Sequence, residues 1–213
     1  MALRRRLGRG HRVILAERTG RHVFAPSLLW LMVGQRRRAD LVRDLGRLER
    51  RGIEVRRAEV LAVDPRRKVA ETSAGMLPYD FLVLAPGAEL APEAVPGLAG
   101  AAHTFYDLDG AVRLWGALRA FREGRLALVV AGLPHRPPAL VAASGLAGPG
   151  GWLSADPLAL QAGHEGVYAV GDAVSLPLPG RYRPDVPLAL PRAGVFAHAQ
   201  AEVAAANVAA EVA

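Results

Sequence analysis

The 213 residues contain no cysteine and one lysine, Lys68. The first absence excludes disulfides, thiolate metal sites and cysteine redox chemistry within these residues. No apolar run of about 18 residues occurs, so no transmembrane helix is expected. Aromatic residues are sparse, at 6%. The acids are outnumbered: 27 Lys and Arg against 20 Asp and Glu give a formal charge of +7, nearly all of it arginine. Such a balance suits a nucleic acid or an anionic membrane. The arginines are scattered through helical and turn segments, however, and no aromatic-rich or basic recognition motif accompanies them, so no nucleic-acid partner is expected.

What the chain has in quantity is apolar residues, 51% of the total, enough for a packed core. The length suits one large domain or two small ones. The start, "MALRRRLGRGHRVILAE", has the charge of a basic transit peptide. It reads better as the tail of a helix ending at Gly8 or Gly10, followed directly by a core strand over 12–17.

The pattern then predicts a short helix around 28–33 and a helix over 38–51. "IEVRRAEVLAVDPRRKVAETSAG" alternates as antiparallel strands with a turn at Asp64-Pro65. "LPYDFLVLAPGAEL" is a buried strand over 80–85 closed by Pro86-Gly87, and 88–103 reads as loop. An amphipathic helix covers 108–123, with Val112, Trp115, Leu118 and Phe121 at three-residue spacing. "RLALVVAGLP" is a strand, 176–191 a Pro-rich loop, and "AGVFAHAQAEVAAANVAAEV" a long Ala-rich helix. Strands alternating with helices give an α/β class with a mainly parallel sheet. Trp30 and Trp115, among apolar neighbours, read as core.

Two acids at strand ends carry the chemistry. Glu17 closes "VILAE"; in dinucleotide-binding βαβ units an acid there accepts hydrogen bonds from the adenosine ribose, although a solvated surface carboxylate looks the same. "HEGVYAVGDAV" runs an apolar strand straight into Gly171 and Asp172. A glycine at a strand end lets the backbone approach a ligand, and a neighbouring carboxylate accepts hydroxyl hydrogen bonds from a polyol. Ligands of open α/β sheets sit at the carboxyl ends of strands. A Gly-Asp turn or an N-cap is the alternative. His22, His103, His135, His164 and His198 show no metal spacing, and no metal is expected. His198 alone is a candidate for a redox-linked proton.

With its flanks, "GVYAVGDAV" resembles the second FAD-binding motif of the two-dinucleotide-domain flavoproteins. "YDFLVLAPGAEL" resembles their hinge motif, with Pro86 in place of a threonine. Together with "FAPSLLWLMVG", "GWLSADPLALQ" and "LPRAGVFAHAQAEVAAANVAAEV", these segments are similar to the FAD-dependent pyridine nucleotide-disulfide oxidoreductase superfamily. Sulfide:quinone oxidoreductases, flavocytochrome c sulfide dehydrogenases and type II NADH dehydrogenases are the nearest in kind. The resemblance implies an FAD cofactor and an FAD-binding Rossmann-like parallel sheet with a small antiparallel β insertion. Asp172 would hold the ribityl chain, with Gly171 giving access. Glu17 would hold the adenosine ribose, the Val60 backbone would meet the adenine, and Ala85 and Gly87 would line the adenosine half. The helix opening at Ala193, Gly194 and Val195 would face the flavin pyrimidine edge, and Pro26 and Ser27 would lie near the isoalloxazine. A helix N-terminus carries about half a positive charge, suited to the anionic edge of a reduced flavin.

The implied activity is electron or hydride transfer of the NAD(P)H:quinone or sulfide:quinone type, with quinone or NAD(P)H as partner. The implied setting is cytoplasmic, with peripheral contact at the inner face of a membrane. Three departures temper it. No G-x-G-x-x-G stands before Glu17, so the first strand and the phosphate-cradling turn are expected to be lacking. Residues upstream of Met1 would supply them, or another strand or subunit would fill the slot. The 105–150 segment reads as a bridge where a second, NAD-binding domain has been removed. That leaves one incomplete FAD-binding domain made of 1–104 and 151–213. The cysteine pair that attacks sulfide is missing, which excludes that route. The alternative reading is therefore a non-catalytic flavoprotein remnant with weak or no FAD binding.

Overall fold

The computed structural model describes residues 1–127, 134–183 and 186–213. They divide into two compact units. The first joins Met1–Arg18, Glu49–Glu89 and His135–Ala213; the second joins Thr19–Leu48 and Leu90–Pro134.

In the first unit the most buried strand is Val167–Ala169, with all three residues buried. It pairs in parallel with Leu82–Leu84, in the register Val167 to Leu82 and Ala169 to Leu84. A strand covered on both faces needs a continuous apolar run rather than alternation, and "VYAV" is one. Ile14–Glu17 pairs in parallel with Glu54–Arg57, and Leu153–Ser154 with Val174–Ser175. Val60–Asp64, Val69–Thr72 and Gly75–Pro78 form an antiparallel three-stranded sheet. Its first turn is set by Asp64, whose carboxylate accepts from the Arg66 and Arg67 amides at 3.0 and 2.9 Å. The fold is thus α/β, with parallel strand pairs and a small antiparallel sheet.

The helix Gly194–Val212 covers this core. Gln200, Ala204, Ala205 and Val208 form its buried face, against a core that includes Leu84, Val167, Tyr168, Ala169 and Leu176. Alanine favours the helix and keeps its surface low enough for close approach. The short helix Ala2–Arg6 lies along it, and Arg5 and Arg6 each reach Glu202 at 3.3 Å. These ion pairs are exposed and contribute little.

The second unit is built on a smaller core of Leu28, Leu31, Leu41 and Ala111, from the helices Leu28–Met32 and Leu108–Ala120 and the turn before Val42. Arg21–Val23 pairs antiparallel with Val42–Asp44. Asp107 caps the longer helix, its carboxylate accepting from the Gly110 amide at 2.6 Å. Gly34 has φ +76°, and a Cβ there would fall 2.3 Å from the Trp115 ring.

Several expectations differ from this. The 88–103 stretch expected as loop holds the strand Glu89–Leu90, the 3-10 turn Pro92–Ala94 and the helix Leu98–Ala101. The helix expected over 108–123 ends at Ala120, and Val112 and Phe121 of its stripe are exposed. The 38–51 helix stops at Leu41; Val42–Asp44 is a strand and Leu45–Arg51 a 3-10 helix. β-branched Val42 is taken by the pairing with Val23, and the Asp44 carboxylate accepts from the Gly46 amide at 2.8 Å, which turns the chain. Glu54–Arg57 joins Ile14–Glu17 in parallel and not the antiparallel sheet. The Pro-rich 176–191 stretch contains a hairpin, Pro177–Arg183 with Val186–Ala189, whose register shifts twice, and proline is tolerated at irregular strand edges. Trp30 is 42% exposed because Leu28 and Leu31 take the buried face of its helix. The strand expected over "RLALVVAGLP" falls largely at 128–133, outside the described residues.

Candidate functional site

The parallel register Leu84 to Ala169 puts two predicted segments at one end of one strand pair. Ala85 and Gly87 follow Leu84; Gly171 and Asp172 follow Ala169 and Val170. The last rung is the Val170 amide on the Leu84 carbonyl at 2.9 Å. Beyond it Gly171 turns to φ +78° and opens the 3-10 turn Gly171–Ala173. Gly87 also has a positive φ, +75°, and a Cβ there would meet nothing within 4 Å. Ala85 is exposed.

The turn is held from the helix side. The Gly171 amide donates to Gln200 Oε1 at 2.6 Å. Arg192 Nε donates to the Asp172 carbonyl at 3.0 Å, and its guanidinium lies 3.7 Å from the centre of the Trp152 ring. A shallow cleft opens here, lined by Gly171, Asp172, Pro191, Arg192, Ala193 and Gln200 among others. Among the described residues nothing donates to the Asp172 carboxylate.

Ala193 is the extended N-cap residue of the long helix and offers no side-chain cap. Its carbonyl accepts from the Phe196 and Ala197 amides at 3.0 and 3.1 Å. The Gly194 and Val195 amides precede these and, like the first amides of any α-helix, have no intrahelical acceptor. Val195 is 71% exposed. His198 is exposed, one turn into the helix. Among the described residues no group of three or more His, Asp or Glu is placed to hold a metal.

Glu17 ends Ile14–Glu17 opposite Arg57, and its carbonyl accepts from the Ala58 amide at 3.1 Å. Val60 starts the antiparallel sheet two residues later, opposite Thr72. Glu17 and Val60 thus share the carboxyl end of the second parallel pair. Pro26 and Ser27 belong to the other unit, in the 3-10 turn Ala25–Ser27. Pro26 is exposed, and Ser27 is buried with its hydroxyl bonded to the Arg36 guanidinium.

The motifs do not single out Gln200, Arg192 or Trp152. One signal was present for the first. Gln200 is spaced four and eight residues before Ala204 and Val208, the helix's buried face, and a polar group there needs a partner. Asn207 obeys the same logic, donating to the Ala159 carbonyl at 2.8 Å.

No family model matches the sequence, and no curated protein matches it. The fold itself is widely represented: this is a Rossmann-like α/β fold that the chain shares with solved oxidoreductase structures. The sulfide:quinone oxidoreductase of Aquifex aeolicus is similar over 99% of this chain and 73% of its own, with a TM-score of 0.83 and 15% identity. The NAD-dependent persulfide reductase of A. fulgidus matches over 98% of this chain and 56% of its own, with a TM-score of 0.74 and 15% identity. The reduced CoADR-RHD of Bacillus anthracis gives 98% and 54%, a TM-score of 0.74 and 15% identity. The chain therefore spans little more than half the length of the last two. At such identities the likeness is one of fold. Among the described residues no helix is long and apolar enough to cross a membrane.

Proposed function

We propose that the chain binds FAD and serves an oxidoreductase of the NAD(P)H:quinone or sulfide:quinone reductase type. The observation that carries this is the Asp172 carboxylate. It stands at the carboxyl end of a buried parallel strand pair, lines a cleft, and has no protein donor among the described residues. A carboxylate in that position accepts hydroxyl hydrogen bonds from a polyol, and the ribityl arm of a flavin is one. The neighbouring donors fit the rest of the group. Gly171 adds no Cβ at the point of approach, and the Gly194 and Val195 amides offer positive charge to an anionic ring edge. Ala85 and Gly87, at the same strand-pair end, would line the adenosine half. Glu17 would accept from the adenosine ribose with the Val60 backbone against the adenine.

Bound FAD would supply the redox chemistry, taking electrons or a hydride from one partner and passing them to another. The chain's own residues bind and orient it. A quinone or NAD(P)H partner, and a cytoplasmic location with contact at the inner membrane face, belong to the same proposal. The test is titration of the purified protein with FAD, followed by flavin fluorescence. Wild type is expected to bind and turn yellow, and Asp172→Ala to bind about 100-fold more weakly, since it loses two charge-assisted hydrogen bonds of about 1.5 kcal/mol each. Wild type that takes up no FAD would refute the reading. The second reading, a non-catalytic flavoprotein, is favoured by the lack of a G-x-G-x-x-G in the 213 residues. It predicts weak binding, no bleaching of bound flavin by NADH or sulfide under anaerobic conditions, and so no electrons passed to an added quinone.

A further inference from the structure

We infer that Gln200 is the positioning residue of the Asp172 turn: its side chain, delivered by the C-terminal helix, sets where the Asp172 carboxylate stands. The inference rests on the cofactor reading above and extends it to a residue 29 positions away from the glycine it holds.

The strand ladder ends one residue too early to fix the turn. Val170 makes the last rung, to the Leu84 carbonyl. The next amide, that of Gly171, faces away from the Leu82–Leu84 strand, as the Val167 and Ala169 amides do, so it has no rung there. Gln200 Oε1 accepts it at 2.6 Å. Only the oxygen of a carboxamide accepts from an N–H, so this contact also fixes which way round the amide lies. Gln200 is 9% exposed, and a buried amide stands in an alanine-rich helix face at a cost unless it is bonded. Arg192 braces the far side through the Asp172 carbonyl, held flat against Trp152. No protein donor holds the Asp172 carboxylate among the described residues, so its placement follows from the backbone that this clamp holds. Removing Gln200 would leave the carboxylate in place chemically but free to point elsewhere.

A double-mutant cycle of Gln200→Leu and Asp172→Ala tests this, with FAD as the probe, read by fluorescence titration, and with Gly171 amide hydrogen exchange read by NMR. Gln200→Leu is expected to weaken FAD about tenfold in the wild-type background and less than about twofold in the Asp172→Ala background. Gly171 exchange is expected to accelerate about tenfold or more, and Gln200→Glu, which keeps an acceptor oxygen, to restore its protection. Gln200→Met serves if the leucine variant does not fold. Equal weakening in both backgrounds, or unchanged Gly171 exchange, would overturn the inference while leaving FAD binding intact. Wild type without FAD affinity would overturn the cofactor reading, and this inference with it.

Discussion

At Gly171 the backbone is left-handed, and the proposed cofactor would approach the same residue. Its φ is +78°, and a Cβ would lie 3.5 Å from the Ala197 methyl, an ordinary contact. Gly171→Ala therefore tests conformation rather than crowding. It is expected to cost about 1 kcal/mol of stability and to weaken FAD severalfold, as checked by urea unfolding and by titration. The place of Gly171 and Asp172 at a strand end was legible in the sequence because it directly follows a run of apolar residues. Helix spacing marked Gln200 as a buried polar group but not its partner 29 residues away, and nothing local marked Arg192, which acts on a carbonyl 20 residues distant.

Elements were legible where burial imposed a period. Val167–Ala169, covered on both faces, is a continuous apolar run, and Gly194–Val212 declares itself through alanine. The 38–51 region failed as a helix because strand pairing took Val42 and an Asp44 turn followed, both tertiary or near-local choices that compete with propensity. Entry into the Val167–Ala169 strand depends on Gly166. It has φ +73°, its carbonyl accepts from the Leu82 amide at 2.8 Å, and a Cβ would fall 2.7 Å from the Asp80 carbonyl oxygen. Here crowding against backbone adds to the conformational penalty. Gly166→Ala is expected to destabilise by about 2–3 kcal/mol in chemical denaturation, more than Gly171→Ala does.

For the molecule as a whole, the C-terminal helix is anchored at its far end by Tyr168, whose hydroxyl donates to the Glu211 carboxylate. Burial, then the Glu211 hydrogen bond and charge, push the Tyr168 pKa up from 10.0 to about 12. The folded state therefore keeps this proton where the unfolded chain has lost it. The associated stability is complete below about pH 10 and is lost as pH rises through about 12. Stability measured by denaturation is expected to fall across that window, and Tyr168→Phe to flatten the fall at the expense of stability near neutrality. The exposed arginine–carboxylate pairs, such as Arg12 with Glu54 at 2.8 Å, contribute little to this balance.

The sequence by itself determined the class of fold, the strand ends that carry Glu17 and Asp172, and the exclusion of cysteine chemistry. Each of these depends only on local period or on the presence of a residue type. The tertiary structure alone decided that the turns after Leu84 and Ala169 share one end of a strand pair. It also decided that Ser27 is buried in a second compact unit, and that a helix glutamine holds the Gly171 amide. Such facts come from pairing and packing between distant segments, and a hydrogen bond between residues far apart in the chain leaves no periodic trace in either one.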